Sequence, residues 1–301
     1  MAVATLRPGA SLGVYPQQLS APPGPLERVG KDWLARAVAA TRGKYRLSRV
    51  VDLVDRAAVG LDALDDDRLG QLLDGVRYEL LRDGLGEIPV ARAFALVREY
   101  AGRSLQLRHY DEQLYGAWVI VNGNMAEMAT GEGKSLTATL AAATAALAGI
   151  PVHVITTNEY LASRDAEQMR PLYEALGLRV TAVLETMDTP EKRAAYGSDI
   201  VYCTNKQVAF DYLRDRLVSG NESGLLSLRF SRARSEGQLV LWGLCFAIID
   251  VSDSVLVDVD RTPLILSRVH VVASQQAIVE QALDLARDMQ QPRLLQLLPL
   301  E

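Results

Sequence analysis

The chain has 301 residues, 49% hydrophobic and 23% charged, enough to bury one large core or a large and a smaller one. Its net charge of −5 argues against wholesale polyanion binding. Only two cysteines, Cys203 and Cys245, and three scattered histidines, His109, His153 and His270, are present, which excludes a disulfide framework or a Cys/His zinc site and fits a reducing compartment.

Residues 1–25 carry Pro, Gly and Ser with little periodicity and read as an extended or disordered leader. They show no apolar core after a basic start, so they do not read as a signal peptide. Residues 26–115 read as an N-terminal helical region. "PLERVGKDWLARAVAAT", "LDDDRLGQLLDGVRYELLRDG" and "PVARAFALVREYAGRSL" each space apolar residues by three and four. The acidic "DDD" suits a helix N-terminus.

From about residue 116 to 267 short apolar runs alternate with helical segments. "NMAEMAT" is expected as a strand before the helix "GEGKSLTATLAAATAALAG". "PVHVITT", "RVTAVLE", "DIVYCT" and "VLWGLCFAIID" are the further strands. Thr189 is expected to cap a helix with Pro190 at its first position and Gly197 at its end, and Gly177 to close the helix before it. The uncharged run from Leu136 to Ile155 is Ala/Thr-rich and interrupted by Gly149 and Pro151. A buried helix, turn and strand account for it better than a membrane span. The expected fold class is α/β, a parallel sheet with flanking helices, preceded by the helical region, with ligands at the carboxyl ends of the strands. Residues 268–301 read as a short strand, "VHVVA", and one helix.

"MATGEGKS", Met128 to Ser135, opens a long helix. Gly131 and Gly133 allow backbone N–H groups to turn inward around phosphate oxygens. Lys134 supplies a cation, Ser135 a hydroxyl for Mg²⁺, and the helix N-terminus a partial positive charge. The pattern G-x-x-x-x-G-K-[ST] fails at its first position, where Met128 stands. An ordinary glycine turn with a surface lysine would not explain Lys and Ser at this spacing. Downstream, "FAIIDVSDSVLVD" ends an apolar run on Asp250 with Asp253 close behind, which suits a metal site or a simple turn.

Five ordered stretches, "LRHYDEQLYGAWVI", "MAEMATGEGKSLTATLAA", "VHVITTNEYLASRDAEQMRPLYEALGL", "SDIVYCTNKQVAFDYLRDRL" and "AIIDVSDSVLVDVDRTPLILS", resemble the first nucleotide-binding lobe of the SecA family. SecA proteins are the ATP-driven motors of bacterial preprotein translocation. The resemblance runs from about Asp65 to Ser267 and implies a RecA-like P-loop lobe that binds ATP and Mg²⁺. It makes Gln113 the adenine-reading glutamine and Thr130, Gly131, Glu132, Gly133, Lys134 and Ser135 the phosphate loop. It makes Asp250 the Mg²⁺-side carboxylate, with Ser135 and Asp253 as further metal-side groups. Arg164, Asp165, Thr204, Asn205, Asp211 and Arg214 match motifs that couple nucleotide state to lobe motion. Read without the motifs, these residues are caps and helix-surface pairs, and Gln113 is a solvated helix glutamine.

Two positions depart from the family pattern. Ala129 stands where arginine is usual. Val251 stands where D-E-x-D has its water-activating glutamate, so no catalytic residue can be named there. General-base help is worth about 10²–10⁴ in rate. The chain also ends about where the family's polypeptide-binding domain is inserted, so the 268–301 tail is expected to be the start of that insertion. By this resemblance the second lobe, whose arginines are worth about 10³–10⁵, is missing, so hydrolysis is expected to be impaired; a complementary ATPase lobe acting in trans is a candidate partner. The resemblance implies preproteins and a translocation channel as partners, no nucleic acid, and a cytoplasmic place or a peripheral one at the inner face of the plasma membrane. A non-hydrolysing nucleotide-binding regulatory or scaffold subunit is the alternative. A helicase-like nucleic-acid protein is disfavoured by the acidic balance.

Overall fold

The computed structural model describes residues 49–219, 239–241 and 244–255. The expected leader, the helix expected at "PLERVGKDWLARAVAAT" and the strand and helix expected beyond residue 268 lie outside the described residues.

Among the described residues, five helices come first. α1 occupies residues 49–58. α2, Asp66–Asp83, starts where the acidic run predicts: the Asp65 carboxylate accepts the Arg68 N–H at 2.9 Å, and Asp66 and Asp67 sit at the positive end of the helix. Its buried residues, Leu69, Leu73, Val76 and Leu80, repeat by three and four. α3, Glu87–Ser104, is buried along most of its length and packs against α2 and against the later helices at Lys134–Leu147 and Glu159–Ala175. α4, Asp111–Val121, follows, and then α5, Lys134–Leu147.

Every residue of α5 from Thr137 to Leu147 is buried, which explains the uncharged run. Thr137, Thr139 and Thr144 donate their hydroxyls to the carbonyls four residues back, at 3.2, 2.7 and 2.9 Å, so a fully buried helix carries polar side chains without orphaned donors. No described helix is long and apolar enough to cross a membrane.

Strands and helices then alternate: β1 Val152–Thr156, α6 Glu159–Ala175, β2 Val180–Ala182, α7 Thr189–Tyr196, β3 Ile200–Thr204, α8 Asn205–Ser219 and β4 Phe246–Ile249. The strands form one parallel sheet in the order β2-β3-β1-β4. Val152 pairs with both Ile200 and Phe246, Thr156 with Thr204 and Ile155 with Ile249, so three strands start level and end within one residue of one another. Alternation decides the two faces. Val152, Val154, Ile200, Tyr202 and Ile248 share one core with α2, α3, α4, α5 and α6. Val201 and Cys203 join a second core with Val183, Ala195, Tyr196, Val208, Val240 and Leu241. The helical region therefore has no separate core; it shares one with the sheet.

Two expectations are corrected. Residues 124–130, expected as a strand, form none. This segment has Met125 74% exposed and reaches no strand neighbour, so nothing there satisfies a ladder. The α7 cap is Asp188 rather than Thr189: Asp188 accepts the Glu191 N–H at 2.8 Å while Glu191 accepts the Asp188 N–H at 2.9 Å. This reciprocal box shifts Thr189 and Pro190 to the first two helical positions. Gly197 ends α7, and Gly177, at φ +66°, follows α6 as expected.

Candidate functional site

The glycine loop lies between α4 and α5. Gly131 and Gly133 have φ of +91° and +84°, a region open to glycine and strained for other residues. A Cβ on Gly131 would meet nothing within 4 Å, so this side of the loop is open. The loop also closes on itself: the Glu132 carboxylate accepts the Ala129 N–H at 2.7 Å. Thr130, Gly131, Glu132 and Lys134 are exposed and Ser135 is half-buried at the start of α5.

α4 holds the loop in place. The Gln113 side chain is buried and both ends of its amide are engaged. Its Oε1 accepts the Tyr110 N–H at 3.1 Å, and its Nε2 donates to the Glu132 carbonyl at 2.8 Å. A Cβ at Gly133 would stand 2.3 Å from that Nε2. One turn on, a Cβ at Gly116 would stand 2.8 Å from the Thr137 methyl. Two glycines thus leave room for side chains packed between α4 and the start of α5.

The other half of the site is the carboxyl edge of the sheet. Asp250 follows β4 directly, its N–H donating to the Ile155 carbonyl at 3.1 Å. After β1, Asn158 caps α6 by accepting the Leu161 N–H at 2.9 Å, which places Arg164 and Asp165 on the first turns of that helix. Arg164 donates to one Asp165 oxygen through both Nε, at 2.8 Å, and a terminal nitrogen, at 2.6 Å. Asp165 is buried and Arg164 partly exposed. Burial raises the Asp250 carboxyl above the usual carboxylate range and the Asp165 charge adds to this, while Lys134 and Arg164 act against it. These directions put Asp250, Asp165, Lys134 and Arg164 within electrostatic reach of one another.

Two carboxylates, Asp250 after β4 and Asp165 on α6, with the loop lysine within electrostatic reach, suit a small divalent cation and an anionic ligand. A dication would relieve the two carboxylates. No group of three or more His, Cys, Asp or Glu side chains that could cage a metal is present among the described residues. A hard cation held by one or two carboxylates, water and ligand oxygens needs none. Val251, half-buried, offers no side-chain acceptor beside Asp250; its carbonyl accepts the Val255 N–H at 3.0 Å and starts a helical turn. Asp253 is exposed on that turn, with the Ser252 hydroxyl 3.4 Å away.

The remaining motif residues lie elsewhere. Thr204 ends β3 and accepts the Gln207 N–H at 3.2 Å, starting α8 at Asn205. Asp211 is buried on α8 and accepts from Tyr196 at 2.9 Å and Gln207 at 2.6 Å. Arg214 donates to the Thr189 hydroxyl at 2.7 Å. These contacts tie α8 to α7, not to the glycine loop. Sequence reasoning passed over two buried groups. Asp215 accepts the N–H groups of Val240 and Leu241 at 2.9 and 2.8 Å, pinning that segment to α8. His109 contacts α5. Asp215 stands one turn after Asp211, and that spacing was the available signal; His109 stood in a quoted stretch with nothing to mark it as buried.

A parallel α/β sheet with helices on both faces and a glycine loop opening α5 defines the class: a RecA-like lobe. The family model described as the SecA DEAD-like domain matches residues 34–294. The chain is 49% identical over 266 residues to protein translocase subunit SecA 2 of Bordetella avium, covering 86% of this chain and 39% of that protein. It is 42% identical to SecA 3 of Magnetococcus marinus, covering 92% of this chain and 43% of that protein. It is 44% identical to SecA 2 of Nitrosospira multiformis, covering 91% and 42%. The chain belongs to the SecA DEAD-like domain family, and it spans about two-fifths of the length of the curated relatives it matches.

Proposed function

We propose that this chain is the nucleotide-binding part of a SecA-type protein translocation ATPase and that it binds Mg–ATP at the T-G-E-G-K-S loop. What supports the reading is the glycine loop at the start of α5, with Gly131 and Gly133 at φ +91° and +84° and Lys134 and Ser135 opening the helix, together with the electrostatic influence of Lys134 on Asp250 after β4. When bound, Mg²⁺ would neutralise phosphate charge between Ser135 and Asp250, with Asp253 in support. Lys134 would bind phosphate oxygens, and loop N–H groups at Gly131 and Gly133 would cradle them. Arg164 and Asp165 would sense the filled site from α6. Thr204, Asn205, Asp211 and Arg214 would carry its effect through α8. Gln113 would read the adenine edge, which requires it to exchange its present bond to Glu132 for one to the base.

Val251 supports a second feature of this reading, slow or no turnover. Its side chain cannot accept a proton from water, so the chain holds nucleotide better than it hydrolyses it. Preproteins and a translocation channel are the partners this family reading brings, in the cytoplasm or at the inner face of the plasma membrane.

Calorimetric titration with Mg–ADP and Mg–ATP tests binding: wild type binds, and Lys134→Ala binds at least about ten-fold more weakly. Equal affinity in both would refute it. Wild-type turnover is expected near background, and Val251→Glu raises it. Robust wild-type hydrolysis that Lys134→Ala abolishes would remove the slow-turnover part.

A further inference from the structure

His109 precedes α4 and has no part in the nucleotide reading above. It is 1% exposed, and its Nε2 lies 3.2 Å from the carbonyl of Leu136, the residue after Ser135. A carbonyl only accepts, so Nε2 carries the hydrogen and Nδ1 is left as a bare acceptor. Among the described residues Nδ1 has no hydrogen-bond partner, and neither has Arg98 Nε. The Arg98 terminal nitrogens reach Asp55 at 3.3 Å and Asp111 at 3.4 Å. Burial lowers the His109 pKa to about 4; the Leu136 bond opposes this, and the Arg98 charge adds to it. The ring is therefore neutral at physiological pH.

Positions 109, 113 and 116 are spaced by four and three, and each meets the loop or the first turn of α5. His109 holds the Leu136 carbonyl, Gln113 holds the Glu132 carbonyl, and Gly116 faces the Thr137 methyl. The Leu136 and Thr137 contacts act on α5 itself, one turn or less from Lys134 and Ser135. A helix held at two adjacent residues cannot turn about its axis without breaking one of the contacts. The direction in which Lys134 and Ser135 project is set by that turn.

We propose that His109 is a positioning residue of the nucleotide site: its neutral Nε2–H imidazole fixes the first turn of α5, and so aims Lys134 and Ser135 at the phosphates and Mg²⁺ of a nucleoside di- or triphosphate. This rests on the proposed nucleotide binding. Glutamine at 109 can supply the donor; leucine cannot.

The test measures binding of a fluorescent ADP with Mg²⁺ to wild type, His109→Gln and His109→Leu, together with ¹⁵N resonances of the wild-type imidazoles. His109→Leu is expected to bind about three- to ten-fold more weakly, the worth of one hydrogen bond, and His109→Gln to stay within about two-fold of wild type. The wild-type ring is expected as the Nε2–H tautomer, with its resonances shifting when ADP is added. Wild-type binding matched by His109→Leu overturns the proposal and leaves the nucleotide reading standing, as does an Nδ1–H tautomer. Should His109→Leu not fold, the tautomer and the His109→Gln affinity decide. Absence of ADP binding by folded wild type overturns the nucleotide reading and this proposal together.

Discussion

Gln113 donates to the Glu132 carbonyl at 2.8 Å, so the side chain that precedes the lobe in sequence is bound to the tip of the glycine loop in space. The same amide closes the α4 cap through Tyr110. Gln113→Ala removes both bonds, freeing the Glu132 carbonyl and the Tyr110 N–H. It should lower stability by about 1–3 kcal/mol, read by urea denaturation, and increase amide exchange across 129–133. Exchange unchanged in that loop would show that Gln113 does not hold it.

The close approach of α4 to α5 depends on Gly116. Gly116→Ala puts a methyl 2.8 Å from the Thr137 methyl and should cost about 1–3 kcal/mol. Thr137→Ser removes that methyl and keeps the hydroxyl bonded to Gly133. The double variant should therefore recover part of the loss. Additive losses in a double-mutant cycle would contradict the contact.

Asp250 is raised above the usual carboxylate range by burial first and by Asp165 second. A carboxyl raised in the folded state favours the fold while protonated, and that contribution is lost as pH rises through the folded pKa. Asp250→Asn should therefore be more stable than wild type at neutral pH, with the gap closing below the ordinary carboxylate range. If the proposed nucleotide binding holds, it should also lose the stabilisation by Mg–ADP expected of wild type. Thermal melts across pH, with and without Mg–ADP, check both; a variant less stable than wild type at neutral pH would contradict the first.

His153 behaves oppositely. Burial on β1, with the Tyr196 ring 5.9 Å away, pushes it down to about 4. Its neutral ring contributes stability fully above an unfolded pKa near 6.5, and the contribution is lost as pH falls from there towards 4. The loss approaches about 1.4 kcal/mol per pH unit for one ring. His153→Leu should flatten the stability–pH curve in that window; an unchanged slope would show that the ring is not held neutral.

Asp215 ties the segment before β4 to α8 through two backbone N–H groups. Asp215→Ala leaves both donors buried and should cost about 2–4 kcal/mol, with amide exchange rising at Val240 and Leu241. Asp215→Asn keeps one acceptor oxygen and should lose less. Equal stability of all three would mean that water satisfies those groups.

Helix and strand identity was legible wherever period and punctuation agreed. Leu69, Leu73, Val76 and Leu80 repeat as a helix face, and the uncharged 136–155 run resolves into a buried helix, a turn and β1. The 124–130 error has the same origin: a short apolar run before a helix resembles a strand, and only a neighbouring strand can make it one. The Thr189 error was local, because Asp188 and Glu191 form a stronger reciprocal cap than a lone threonine.

The sequence alone determined the chemistry on offer: two glycines, a lysine and a serine in order, an aspartate ending a strand, and valine where an acceptor would stand. Motif spacing carries that information because neighbouring side chains are placed by the backbone. Tertiary structure alone decided which distant groups share the site. Lys134, Arg164, Asp165 and Asp250 come within electrostatic reach because β1 and β4 pair in register and end within one residue of one another. Gln113 and His109 reach the glycine loop and α5 because Gly116 leaves room for the Thr137 side chain and Gly133 for that of Gln113. Register and close approach arise from packing between segments far apart in the chain, which no local spacing encodes.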